Sequence, residues 1–141
     1  MIEITIPGEP VPWARARTFG KRHFTPDKQR NTMELIRWEA ARIMAGKRLL
    51  EGPLSVNARF IFVRPKSHTL KQRKAPNSHY KASKPDATNL LKLIEDALNK
   101  IVWNDDAQIA AVTVAKQWGV RPGTFITIET LAGEQQHDQL L

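Results

Sequence analysis

The stretch 84-KPDATNLLKLIEDALN-99 decides how the chain can fold, because it is typical of a helix with one buried face. The apolar residues that recur at helical spacing, within the stretch and just beyond it, are Leu90, Ile94, Ala97, Leu98 and Ile101. Good helix formers fill the remaining positions, and the opposite stripe is polar. The pattern predicts a helix that begins at about Asp86 or Thr88 and ends at Ile101.

The segments around this helix alternate apolar and polar residues or are rich in β-branched ones, which is typical of strands. They lie at 2–6, 54–63, 107–118 and 124–131. Thr25-Pro26 opens another helix, which Gly46 closes. The last two strands are joined through residues 119–123, and this glycine-flanked connection predicts a hairpin.

The order of these elements is β-α-β-α-β-β, which predicts an α+β fold with a mixed sheet of about four strands and two main helices. A chain of 141 residues is long enough for one core, because at that size roughly two-thirds of the unfolded surface can be buried. We expect a single domain at 1–131, followed by a polar C-terminal tail at 132–141.

The composition excludes several classes of function. The chain has no cysteine, so it has no disulfide framework, no thiolate nucleophile and no cysteine-based zinc site. It has neither a signal-like N-terminus nor a run of about 18 apolar residues. We therefore expect a cytoplasmic protein that does not span a membrane.

The charge is strongly asymmetric. The formal net charge is +8, and the segment 52–85 contains cations but no Asp or Glu. A second basic cluster, interspersed with aromatic residues, lies at 13–30. Either loop alone is equally consistent with a solvated surface, but two of one sign on one domain favour contact with a phosphate backbone. The candidate nucleic-acid contacts are Arg15, Arg17, Lys21, Arg22, Lys66, Lys71, Arg73, Lys74 and Lys84.

The acids that interrupt this basic background are Asp86 and the pair Asp105-Asp106. Carboxylate oxygens are the ligands that hard cations such as Mg²⁺ and Mn²⁺ prefer. Each acid also has a structural interpretation, since Asp86 stands where a helix N-cap is expected and Asp105-Asp106 stand in a turn.

Several separated motifs resemble those of the RusA-type Holliday junction resolvases. They are the opening stretch together with 103-WNDDAQI-109, 10-PVPWARARTFGKRHFTPDKQR-30 and 61-IFVRPKSHTLKQRK-74. The resemblance extends to about residue 130. It implies a homodimeric, Mg²⁺-dependent endonuclease, with Mn²⁺ as the alternative ion, that binds four-way DNA junctions and nicks two strands symmetrically in recombination and repair.

The resemblance also implies roles for individual residues. Asp86 and Asp106 match the family's first and third acidic metal ligands, Asp105 is the neighbouring acid, and Lys92 matches the family's lysine. Thr88 stands where the family has a second aspartate. A neutral hydroxyl there predicts either a weaker metal site or one to which Asp105 contributes.

In the mechanism that this assignment predicts, the cation polarises the scissile phosphate, and Lys92 neutralises charge that develops on it. A simpler interpretation of Lys92 is an i,i+4 ion pair with Asp96. Asp86 and Asp106 are separated by a helix of about 20 Å. They could meet across a two-fold dimer, or within one chain if the WNDD loop folded back over the helix.

Two other functions are consistent with the sequence. The first is a non-catalytic or weakly active branched-DNA-binding protein, in which Thr88 marks a degenerate metal site. The second is an interaction protein whose basic loops bind an acidic protein partner.

Overall fold

The computed structural model describes residues 1–15 and 27–131 and, between them, the backbone of two short strands. The elements are β1 (Ile2–Pro7), β2 (Arg17–Phe19), β3 (Arg22–Phe24), α1 (Asp27–Met44), β4 (Leu54–Val63), α2 (Leu70–Lys74), α3 (Ala87–Leu98), β5 (Ile109–Gly119) and β6 (Gly123–Thr130). A 3₁₀ turn, Asp106–Gln108, precedes β5. The predicted α+β class and its main element order are confirmed. The predicted tail at 132–141 lies outside the described residues.

The main sheet has the order β1-β6-β4-β5. β4 pairs in parallel with β5 and antiparallel with β6, so the sheet is mixed, as predicted. The predicted hairpin between the last two strands is wrong, because β5 and β6 lie on opposite sides of β4. β4 buries both its alternating residues and Ile61, so it takes the central position, and the α3 crossover makes its pairing with β5 parallel.

One core joins the inner face of the sheet to α1 and α3. β1 alternates buried and exposed residues along its length, as its sequence predicts. α3 buries Leu90, Leu93, Ile94, Ala97 and Leu98, and it ends three residues before the predicted Ile101. Lys100 follows with a φ of 69°, and this turn reverses the chain toward the start of β5.

The basic segment predicted as a loop after β4 is more ordered than expected. It contains α2, whose N-cap Thr69 and Gln72 form a capping box. It also contains residues 79–81, which bind the outer edge of β5 through Lys81 N to Lys116 O (2.9 Å) and Trp118 N to His79 O (2.7 Å). α2 buries no side chain, so the sequence has no hydrophobic periodicity that would predict it.

Among the described residues, none of the helices has both the length and the apolar character needed to cross a bilayer.

Candidate functional site

Asp86 occupies the N-cap position of α3, but its carboxylate makes no capping hydrogen bond. The residue is exposed, and it stands at the positive end of the helix dipole, where an anion is favoured. It lines an open cavity of about 510 Å³ together with Pro10, Pro12, Trp13, Ala14, Lys84, Pro85 and Asn89. The structural interpretation of Asp86 as a hydrogen-bonding cap is therefore not realised.

The N-terminal loop is fixed across the first half of α3. Trp13 N donates to the carbonyl oxygen of Asn89 at 2.9 Å. Ala14 N donates to Oε1 of Gln29 at 2.8 Å, and Gln29 is only 4% exposed. One wall of the Asp86 cavity is thus built by contacts distant in the chain, and sequence patterns gave no signal for Gln29 or Asn89.

Lys92 reaches this same wall. Its Nζ lies 3.8 Å from the centre of the Trp13 ring, a cation–π contact. The ion pairs found in the described part of the chain are Arg30–Asp27 and Arg42–Glu39, both on α1. The simpler interpretation of Lys92 as the partner of Asp96 is therefore wrong, because the indole face takes the ammonium group instead.

The segment that leads into Asp86 is held by Lys116 of β5. Its Nζ donates to the carbonyl oxygens of Ser83 and Pro85, both at 2.8 Å. The sequence motifs assign no role to Lys116, although a lysine within an apolar strand is a recognisable signal. Beside it, burial and the charge of Lys116 lower the pKa of Lys81, whose Nζ lies 4.5 Å from the centre of the Trp118 ring.

Asp106 begins the 3₁₀ turn, where Trp103 orients it. The Trp103 side chain is fully buried, and its Nε1 donates to Oδ1 of Asp106 at 2.7 Å. Asp105 instead caps the turn by accepting from Ala107 N at 2.8 Å. The structural interpretation of Asp105 as a turn residue is thus correct, whereas Asp106 is held by a buried indole.

Glu95, on the second half of α3, is an acid to which the sequence motifs assign no role. The pKa of its carboxyl group is raised by burial and, secondarily, by the charges of Asp106 and Asp96. Asp106 therefore lies near Glu95, on the second half of α3. Because Glu95 is nine residues after Asp86, about 13 Å of helix rise separates them. The WNDD loop is tied to the C-terminal end of α3, where Lys100 N donates to the carbonyl oxygen of Trp103 at 2.8 Å, whereas Asp86 stands at the N-terminal end.

Oxygen donors suited to a hard cation are present, but the chain distributes them between the two ends of α3. Over residues 1–15 and 27–131, no three His, Asp or Glu side chains come together as a metal site. Thr88 is exposed in the first turn of α3. The donor chemistry fits Mg²⁺ or Mn²⁺, but the described side chains of the chain do not by themselves form a group of three ligands.

Most of the predicted basic contacts are at the surface. Arg15, Lys66, Lys71, Arg73 and Lys74 are exposed, and Lys84 is exposed at the Asp86 cavity. The side chains of Arg17, Lys21 and Arg22 lie outside the described residues. Arg64 is different, because it packs 5.6 Å from the Trp118 ring centre and donates to Ser78 O, which makes it a support of the loop.

Exposed carboxylates beside cationic loops are typical of proteins that bind or act on phosphodiester backbones. The family model of endodeoxyribonuclease RusA matches residues 7–129, and the chain belongs to this family. The resemblance seen in the sequence is thereby confirmed. The chain is also similar to the uncharacterized protein YqaN of Bacillus subtilis strain 168, with 27% identity over 139 residues that cover 93% of this chain and 97% of that protein.

Proposed function

We propose that this protein is a divalent-metal-dependent endodeoxyribonuclease that resolves four-way DNA junctions by paired, symmetric cuts in recombination and repair. The observation that carries the proposal is the RusA family match over residues 7–129. The exposed Asp86 lines a cavity with Lys84 and Trp13, and Lys92 contacts the Trp13 ring; this supports the proposal, because metal-dependent cutting uses carboxylates to hold the ion and cations to neutralise phosphate charge.

The working unit in this proposal is a homodimer whose two sites are shared. In one protomer Asp86 stands at the first turn of α3, whereas Asp106 lies near Glu95 on its second half. An isologous two-fold arrangement makes two equivalent sites, each from Asp86 of one protomer and Asp106 of its partner. Two sites related by a two-fold axis also match the symmetry of paired cuts on a four-way junction.

Asp86 and Asp106 are the residues that would hold Mg²⁺, with Mn²⁺ as the alternative, and Asp105 and Thr88 flank them. A bound divalent ion polarises a phosphate and lowers the pKa of a water molecule. Trp103 keeps one oxygen of Asp106 in place, which leaves the other for the ion. Lys92, held over the Trp13 ring, supplies positive charge where the transition state gains negative charge.

The exposed cations of the α2 segment and the N-terminal loop serve as contacts to the DNA backbone. Lys66, Lys71, Arg73 and Lys74 lie on or beside α2, and Lys84 and Arg15 are adjacent to the Asp86 cavity. Such contacts depend on counterion release, so junction affinity should fall steeply with added salt.

A second candidate function is a non-catalytic or weakly active branched-DNA-binding protein. Thr88 favours it, because a hydroxyl replaces a full negative charge in the first turn of α3. The metal ligands within one protomer are then fewer than the family pattern provides.

A labelled four-way junction incubated with the protein in Mg²⁺ or Mn²⁺ separates these functions. Paired nicks at symmetric positions support the nuclease, and binding without nicks supports the alternative. The Asp86→Asn variant is the matched control, because it should bind the junction as the unchanged protein does but not cut it.

Mixing Asp86→Ala chains with Asp106→Ala chains tests whether the sites are shared. A shared arrangement regenerates one intact site in each mixed dimer, so cutting returns on one strand. Inactivity at every mixing ratio, with dimers shown to exchange, would count against sharing.

A further inference from the structure

A second open cavity lies between the α2 segment and the outer edge of β5. Its volume is about 400 Å³, within the range of about 300–1,000 Å³ that is usual for ligand pockets. Its lining combines three aromatic rings with polar and cationic side chains: His68, Tyr80, Trp118, Gln72, Ser83 and Arg64. No acid is among the described residues that line it. Aromatic rings in a cationic groove are what proteins use to bind unstacked nucleotides.

Tyr80 presents an accessible ring to this pocket. The backbone on either side of it is fixed to β5. Lys81 N donates to the carbonyl oxygen of Lys116 at 2.9 Å, and the carbonyl oxygen of His79 accepts from Trp118 N at 2.7 Å. The His79 ring supports the Tyr80 ring at 4.1 Å between ring centres, yet Tyr80 remains 50% exposed. The ring is therefore held in place before a ligand arrives, which lowers the entropy cost of stacking on it.

The Trp118 ring is held by its neighbours and brings positive charge to the pocket. The His68 ring meets it edge to face, with 5.3 Å between ring centres. Cζ of Arg64 lies 5.6 Å and Nζ of Lys81 lies 4.5 Å from the centre of the Trp118 ring, and both are cation–π contacts. α2, on the other side of the pocket, adds exposed cations at Lys71, Arg73 and Lys74. A phosphate backbone beside this pocket would thus meet positive charge on several sides.

The pocket is joined to the Asp86 cavity through one short segment. Ser83 lines the pocket, and Lys84 and Pro85 line the Asp86 cavity. Lys116 fixes this segment by donating to the carbonyl oxygens of Ser83 and Pro85. Ser83 and Asp86 are three residues apart, so their Cα atoms lie no more than about 11 Å apart. That distance corresponds to about three stacked nucleotides at 3.4 Å each, so one DNA strand can reach both cavities.

We propose that this pocket takes one unstacked base of the DNA strand that passes Asp86; the inference rests on the proposed function in that its ligand is branched DNA. Removing a base from a duplex costs stacking and pairing energy, and the cost is lower where pairing is already interrupted, as at a branch point. Stacking on Tyr80 replaces the stacking that the base loses, while the α2 cations hold its phosphates. The pocket therefore favours branched DNA over an uninterrupted duplex.

An abasic scan tests the pocket. In a set of four-way junctions, an abasic residue replaces one nucleotide at a time near the branch point, which removes the base and keeps the phosphate. Fluorescence anisotropy measures affinity in EDTA, so that cutting does not interfere. For the unchanged chain, the dissociation constant should rise at least about fivefold at one position or two adjacent ones, the lower end of the effect of one stacked base.

Tyr80→Ala should bind the intact junction at least about fivefold more weakly, and it should no longer respond to the abasic residue, because ring and base belong to one interaction. Its affinity for a linear duplex should not change. Tyr80→Phe keeps the ring and should behave as the unchanged chain. Circular dichroism confirms that each variant is folded.

Two further variants are matched controls. Trp38→Ala removes an exposed aromatic ring elsewhere, since Trp38 is on α1 and is 65% exposed, and it should keep the full abasic response. Lys71→Gln should weaken binding to intact and abasic junctions by the same factor, because it removes a charge and not a stacking surface. In the unchanged chain, 5-iodouracil at the sensitive position should crosslink to Tyr80 on irradiation.

The outcomes separate this inference from the proposed function. An abasic response that Tyr80→Ala abolishes supports the pocket, and it does so even if the unchanged chain does not cut in Mg²⁺ or Mn²⁺, which would count against the nuclease. Symmetric cutting by a chain with no abasic response supports the nuclease and overturns the pocket. An abasic response that persists in Tyr80→Ala, or crosslinks only outside residues 64–83, also overturns the pocket. A chain that does not bind the junction overturns both.

Discussion

Trp103→Phe should separate the orientation of Asp106 from the general stability of the core. The change keeps an aromatic ring in a fully buried position but removes the Nε1–H that donates to Asp106 at 2.7 Å. Loss of a hydrogen bond to a charged group and of part of a buried ring should lower the free energy of unfolding by about 2–3 kcal/mol. Junction cutting should fall by about 10- to 100-fold, as for other residues that orient metal ligands.

The assay is single-turnover cutting of a labelled junction, measured well below the thermal midpoint. Ile4→Ala is the matched control, because Ile4 is 1% exposed in β1 and this change should cost a similar 2–5 kcal/mol. It should leave cutting nearly unchanged. If both variants lose activity equally, the indole of Trp103 contributes only stability, and the reasoning about Asp106 is refuted.

Lys92→Gln should reduce the rate of cutting by about 100-fold or more, while junction affinity changes little. Lys92→Arg keeps the charge over Trp13 and should retain most of the rate. Equal losses of rate in both variants would contradict an electrostatic role. Thr88→Asp should preserve or raise activity and lower the metal concentration needed for half-maximal cutting, and an inactive variant would reveal a positive role of the hydroxyl. The pKa of Glu95 is raised in the folded protein. The contribution of the protonated carboxyl group to the free energy of unfolding is therefore fully present below the pKa of the unfolded chain, and it is lost as the pH rises through the raised pKa of the folded protein. Glu95→Gln should therefore raise the melting temperature in EDTA at pH 7 but not at pH 3, and an equal effect at both pH values would exclude a titration effect.

Local sequence patterns predicted the elements well but not which elements become neighbours. The alternation of β1 and the apolar face of α3 follow from one period each, and both are found. The hairpin was wrong because the glycines at 119 and 123 specify a turn but not its partner strands. The pairing of β5 and β6 with β4 follows instead from the burial of β4 at the centre of the sheet. That burial depends on the whole sheet and cannot be seen in one segment.

For the candidate site as well, some residues could be predicted from the sequence and others could not. Asp86, Asp106 and Lys92 are found through motifs, because a motif records residue types at fixed spacing. The supports of these residues are long-range contacts: Gln29 to Ala14 and Lys116 to Pro85 join segments distant in the chain. No local sequence pattern predicts these contacts. The roles of Glu95 and Lys116 are therefore seen only in the folded chain.

The division of the candidate ligands between the two ends of α3 also bears on Thr88, which stands where the family pattern has an aspartate. If the ion binds where two protomers meet, its ligands are drawn from two chains, and a missing carboxylate can be replaced from either. Glu95 lies near Asp106, so it would enter the same shared site from the Asp106 side. In a Thr88→Asp background, Glu95→Gln should then be tolerated, whereas in the unchanged chain it should weaken metal-dependent cutting. Equal losses in the two backgrounds would mean that Glu95 does not substitute for the acid absent at Thr88.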